Sequence, residues 1–140
     1  MKQQVLLSIC GRQSYLDQEP DVIELVTEGT LEDRDGGWEL TYEESELTGL
    51  KGVTTTFRAE PGKIVLSRKG PLTSQMVFQE GFHHESLYQM EFGTLMITVC
   101  ATKVTYDIDH EGGTIDLTYA IEVEHSAAGV IDYHLDIRKK

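Results

Sequence analysis

The run Ile115-Asp116-Leu117-Thr118-Tyr119-Ala120-Ile121-Glu122-Val123 sets a large apolar residue at every odd position, with polar or small residues between them. Successive side chains of a strand point to opposite faces, so this run has one face for a core and one for water. Ile131, Tyr133, Leu135 and Ile137 repeat the pattern, with Asp132, His134 and Asp136 between them. Toward the N-terminus the same period of two recurs at Val5/Leu7/Ile9, Ile23/Leu25, Trp38/Leu40/Tyr42, Val53/Thr55/Phe57, Ile64/Leu66, Met76/Phe78 and Tyr88/Met90/Phe92. No window of about a dozen residues carries a helical repeat of apolar positions. The chain reads as all-β, with about nine or ten strands.

One phase slip stands out. Leu95, Ile97 and Val99 are odd-numbered, whereas Val104, Tyr106 and Ile108 are even, and a β-bulge near Ala101 to Lys103 restores the alternation. Turn chemistry falls between the strands at Asp35-Gly36-Gly37, Pro61-Gly62, Lys69-Gly70, Glu80-Gly81, Phe92-Gly93 and Gly112-Gly113. Connections this short favour a meander of antiparallel neighbours. Many hairpin strands in sequence must dispose of their edges, and closure into a barrel of about eight to ten strands does so directly. The Val5 to Cys10 strand then pairs with a late one. A two-sheet sandwich is the alternative. With 140 residues and no linker, repeat or low-complexity stretch, residues 1–140 form one domain.

Charge narrows the partners. The chain has 24 acids against 12 bases, a net charge of −12, which opposes a nucleic-acid backbone and an anionic membrane alike. The apolar run Val5 to Ile9 is too short for a signal-peptide core, and no stretch approaches the roughly 18 apolar residues of a membrane span. The expectation is a cytoplasmic protein whose Cys10 and Cys100 remain thiols. From Pro71 to Ile137 the only Lys or Arg is Lys103, against eleven acids. Asp116, Glu122 and Glu124 share the outward parity of one strand and Asp132 and Asp136 that of the next. Such an acidic face serves solubility or docks a basic protein, and monomer and homodimer both fit it.

Leu40-Thr41-Tyr42-Glu43-Glu44, Arg68-Lys69-Gly70, Phe78, Tyr88, Phe92-Gly93-Thr94 and Gly113-Thr114-Ile115 with Tyr119 follow one another in an order and spacing that resemble the YwiB-like family. The resemblance runs over nearly the whole chain. It implies a small bacterial protein of unknown function with a calycin-type, lipocalin-like β-barrel, and it brings no activity and no catalytic residues. Gly36-Gly37-Trp38 also fits a lipocalin G-x-W pattern, but about three strands in rather than on the first strand, so ligand preferences of secreted lipocalins are not carried over.

Most chemical constellations dissolve on inspection. Asp107, Asp109, Glu111 and Gly112 imitate the start of a calcium loop, yet Thr118 stands where a bidentate Glu is needed, and the segment reads as a hairpin turn. His83-His84-Glu85 alternate across a strand and do not converge on a metal. Glu43, Glu44 and Glu46 read as a solvated strand end rather than an acid–base pair. No nucleophile elbow, dinucleotide or Walker motif occurs, so no cofactor is implied, and Asn is absent altogether.

Arg68 is the informative position. It shares inward parity with Ile64 and Leu66, and Glu44 shares that of Trp38, Leu40 and Tyr42. Two inward opposite charges near strand ends are expected to pair, because an isolated buried charge is too costly. Either the pair plugs one barrel mouth, or Arg68 fixes an anionic group inside a cavity walled by Tyr42, Met76, Phe78, Tyr88 and Met90, with Glu44 orienting it. The sequence therefore favours a binding module for a small apolar or amphipathic anionic ligand. The alternative is a filled structural barrel with an acidic docking face. An enzyme, which would need convergent titratable groups in the cavity, fits less well.

Overall fold

The alternation becomes ten strands in the computed structural model, which describes residues 2–14, 19, 21–44, 51–90 and 92–140. They are β1 (Lys2–Ser14), β2 (Asp21–Arg34), β3 (Gly37–Glu43), β4 (Thr54–Glu60), β5 (Lys63–Lys69), β6 (Ser74–Phe78), β7 (His83–Met90), β8 (Gly93–Asp109), β9 (Gly112–Val123) and β10 (Ser126–Lys139). Each pairs antiparallel with its sequence neighbour except across β6 and β7. The circuit is completed by β1, which pairs with β2 on one edge and with β10 on the other. Leu7 opposes Ile137 and Ile9 opposes Leu135, so the inward faces of the first and last strands meet in phase. The result is a nearly closed ten-stranded barrel, with no helix long and apolar enough to cross a membrane among the described residues.

The β6–β7 seam is looser. Its strands are joined by a single antiparallel bridge, Thr73 to Gln89, with reciprocal backbone bonds of 2.9 and 2.8 Å. Beyond it, Glu80 bridges to Ala101 of β8, and its carboxylate accepts a 2.9 Å bond from the Val104 amide. That contact falls at the bulge, for the β8–β9 register shifts between Ala101 and Lys103, where the phase slip in the sequence places it. A second bulge, between Ala127 and Gly129 of β10, leaves no such trace in the apolar pattern.

One end of the barrel is packed solid. Val5, Leu7, Leu31, Leu40, Phe57, Ile64, Phe78, Ile115 and Leu135 are each at most 1% exposed and fill it from all sides. The other end is hollow.

Hairpin geometry follows the turn residues at some connections and departs from them at others. Asp35 and Gly36 both take positive φ, at 51° and 80°, in the two-residue turn that suits the twist of a hairpin. Gly112 and Gly113 are not the turn expected of them: Asp109 pairs with Gly112, so His110 and Glu111 form the turn, and the glycines open β9. A Cβ on Gly113 would lie 1.9 Å from the Asp107 carbonyl oxygen. These glycines are needed for close backbone approach, not for turning. Gly93 likewise opens β8 opposite Met90, and Glu124-His125 turns β9 into β10 with φ of 51° and 67° and no glycine. Glu124 therefore leaves the outward row assigned to it and bonds back to Met96, amide to carbonyl at 2.9 Å and carboxylate to amide at 2.8 Å.

Gly113→Ala, at φ 151° with backbone in the way, should cost about 3 kcal/mol or more in urea unfolding, whereas Gly36→Ala, with open space around it, should cost about 1–2 kcal/mol.

Candidate functional site

The hollow end holds a cavity of about 450 Å³ that is open to solvent at the barrel mouth. Its walls come from the ends of strands that the barrel gathers at one mouth: Ile9 and Gly11 of β1, Ile23 and Leu25 of β2, Tyr42 of β3 with Glu44 just beyond it, Arg68 of β5, Met76 of β6 and Tyr88 of β7. Ile97 of β8, Tyr119 and Ile121 of β9, and Ile131 and Tyr133 of β10 complete the ring, while Arg12, Gln13 and Asp21 stand at the rim. All the wall residues within the strands have inward parity, so the lining follows from the pleat.

Five of the residues singled out in the sequence meet here: Tyr42, Glu44, Arg68, Met76 and Tyr88. Phe78 and Met90 do not line the cavity. Phe78 is fully buried in the packed half, with its ring 4.7 Å from that of Tyr119, which it supports from below. Glu46 lies outside the described residues. Tyr119, Tyr133 and the β1–β2 contribution are lining that the sequence does not single out. Their inward parity is legible, but their place at the hollow end depends on register between distant strands.

Glu44 and Arg68 form the charged part of the wall. The Glu44 side chain is 2% exposed and accepts a 2.8 Å hydrogen bond from Thr55 Oγ1. Arg68 Nε lies 3.9 Å from Glu44 Oε2, close enough for Coulomb attraction but too far for a hydrogen bond. Arg68 Nε is shut off from solvent and meets no hydrogen-bond partner among the described residues, and the same holds for Ser74 Oγ. Ser74 is the residue directly opposite Arg68 on β6.

The tyrosines are neutral hydrogen-bonding groups on rigid apolar rings. Burial pushes the Tyr42 phenol up to about 12, with the Glu44 carboxylate adding to the shift and Tyr133 and Arg68 opposing it. Burial likewise raises Tyr119 and Tyr133. Tyr42 and Tyr133 bring their hydroxyls to 3.4 Å of each other, and the Tyr133 ring lies over Gly11, its partner on β1. At neutral pH these phenols keep their protons and can donate. The lining holds no histidine and no cysteine among the described residues, and both thiols are free, on strands that are not neighbours.

Outside, the acidic face of β9 and β10 is organised around His134. Its Nδ1 lies 2.6 Å from Asp116 Oδ1 and its Nε2 3.2 Å from Asp136 Oδ2. The bond to Asp116 raises the imidazole above its ordinary value, and Asp136 adds to the rise. Because the folded form holds the proton more tightly than the unfolded chain, the stabilisation is complete below about pH 6.5 and fades as pH rises through the raised value. The melting temperature of the wild type minus that of His134→Gln should therefore be largest near about pH 6 and shrink toward about pH 9.

Removing Arg68 takes away the cation that stands 3.9 Å from the buried Glu44 carboxylate. Arg68→Ala should destabilise by about 3 kcal/mol, and Arg68→Met with Glu44→Gln by less, in paired denaturant titrations.

The family model described as "Domain of unknown function (DUF1934)" matches residues 7–137. The uncharacterised β-barrel protein YwiB of Bacillus subtilis (strain 168) is 28% identical over 82 residues, a match spanning 59% of this chain and about half, 56%, of that relative's length. The crystal structure of the ywiB protein from Bacillus subtilis superposes with a TM-score of 0.90 at 22% identity, covering 99% of this chain and 93% of the other, and shares the barrel fold. With the family model matched over nearly its whole length, the chain belongs to the DUF1934 family, whose name records a domain of unknown function.

Proposed function

We propose that the protein is a cytoplasmic, lipocalin-like binding module that holds a small, mostly apolar molecule carrying one acidic group inside its barrel. The observation that carries this reading is Arg68: an inward cation on the wall of a cavity lined mostly by apolar residues and tyrosines, with its Nε desolvated and unbonded. A barrel needing Arg68 only as a plug would be expected to satisfy that donor, since a buried unmet donor costs about 1–3 kcal/mol. The volume of about 450 Å³ lies in the range of small-molecule sites.

The remaining lining fits the same occupant. Isoleucine and leucine walls with tyrosine rings suit an acyl chain or a planar ring, and the protonated phenols can bond the ligand's oxygens. A sugar would call for amide side chains and several carboxylates, and apart from Gln13 at the rim the lining offers no amide side chain among the described residues. The free thiols agree with a reducing compartment.

A thermal-shift series of fatty acids and aromatic carboxylates should raise the melting temperature of the wild type in a concentration-dependent way and leave Arg68→Met unmoved. Absence of a shift from every such compound would overturn this reading in favour of a barrel that acts through its acidic exterior.

A further inference from the structure

Arg68 and Ser74 are a registered cross-strand pair on the inner face of β5 and β6, and each carries a solvent-excluded polar atom with no partner among the described residues. They continue a row that runs across the barrel wall, Tyr42 opposite Thr55, Thr55 opposite Arg68 and Arg68 opposite Ser74. Within this row the Thr55 hydroxyl is committed to Glu44, but that of Ser74, a residue 6% exposed, is committed to nothing. We propose that Arg68 and Ser74 together form a head-group subsite for a monocarboxylate, an inference that rests on reading the cavity as a ligand site.

The geometry selects the group. Directly opposite residues hold their Cβ atoms about 5 Å apart, so a planar acceptor with two oxygens can take a hydrogen bond from the guanidinium with one and from the serine hydroxyl with the other. Charge selects its ionisation. Glu44 already stands 3.9 Å from the same guanidinium, so one added negative charge shares a cation that is only loosely engaged, whereas the second charge of a dianion would have to reach Arg12 at the cavity rim or Lys69 on the groove. An alcohol leaves the guanidinium half met, and an amine is repelled by it. Position selects the orientation. Arg68 borders both the interior cavity and the groove along the β6–β7 seam, and Ser74 borders that groove. The carboxylate thus sits at the seam, and the apolar part lies inward against Tyr88, Tyr119 and Ile97.

A hydroxyl kept without a partner in the ligand-free protein should be a cost there and a gain only with ligand. Calorimetric titration with sodium octanoate, 1-octanol and octyl phosphate, on the wild type and on Ser74→Ala, tests this. Octanoate should bind the wild type more tightly than either other probe, and Ser74→Ala should weaken octanoate about tenfold, the worth of one hydrogen bond to a charged group, with 1-octanol unchanged. Ligand-free Ser74→Ala should melt at or above the wild type. Ser74→Cys, nearly the same size but a weak donor, should lose octanoate affinity in the same direction. Octanoate affinity equal in the wild type and Ser74→Ala would overturn the subsite while leaving the cavity reading intact. Octyl phosphate binding more tightly than octanoate would overturn the carboxylate assignment, and failure of all three probes to bind the wild type would overturn the subsite and the cavity reading together.

Discussion

The structure depends on β1 being hydrogen-bonded along both edges. Without it the chain would be two antiparallel ribbons, β2 to β6 and β7 to β10, meeting at the thinly bridged β6–β7 seam and with bare edges at β2 and β10. By pairing in register with Glu32 through Asp21 on one side and with Lys139 through Val130 on the other, β1 joins the two ribbons with an in-phase inner face. Strands far apart in sequence are therefore bound by continuous ladders. The barrel is weakest between sequence neighbours, where β6 and β7 share one bridge. The short β6, five residues against seventeen in β8, cannot span the height of the wall beside it. The looser seam and the hollow end are adjacent because Arg68 and Ser74 belong to the region where the wall thins.

Filling is uneven for a related reason. A barrel of this strand number is wider than one whose interior side chains just meet, so space must open somewhere. Here large aliphatic and phenyl groups, Leu40, Phe57, Ile64 and Phe78, crowd one half. In the other half the rings of Tyr42, Tyr119 and Tyr133 stand on that floor and line the void. Tyrosine is suited to this boundary, since its ring can pack while its hydroxyl reaches a wetter or ligand-filled space. The contacts of Phe57 with Tyr133 at 5.7 Å and of Phe78 with Tyr119 at 4.7 Å tie the cavity's shape to the packed core.

How much of this is legible in the sequence depends on the kind of fact. Strand identity, the inward face of each strand and the bulge after Ala101 are legible because a period of two is local and one extra residue inverts it. The same parity, with no knowledge of register, brings Glu44 and Arg68 to one surface. Parity says which face a residue occupies but not how far along the barrel it sits, and that is why it groups Phe78 and Met90 with Tyr88 although neither lines the cavity. The lining from Ile9, Gly11 and Ile23 depends on the β1 register with β2 and β10, a long-range fact that no short window contains. Glu124-His125 is illegible as a turn because neither residue advertises positive φ. Gly112-Gly113 misleads for the opposite reason: glycine marks close backbone approach as readily as a turn.

The inner charges also bear on how the barrel would tolerate the anion site proposed above. A lone arginine on this wall would be too costly to bury, and a tight Arg–Glu pair bonded through Nε would have that donor already taken. The arrangement lies between these limits. Thr55 holds Glu44 by its own hydrogen bond, so the carboxylate stays in place without help from Arg68, and the guanidinium Nε keeps a counter-charge at 3.9 Å without being bonded by it. Coulomb attraction falls slowly with distance whereas hydrogen bonding falls steeply, so this spacing preserves most of the first and none of the second. The cation is neutralised yet remains an open donor, pre-oriented on a strand rather than on a loop, and an incoming acid need not break a hydrogen bond of that Nε to reach it.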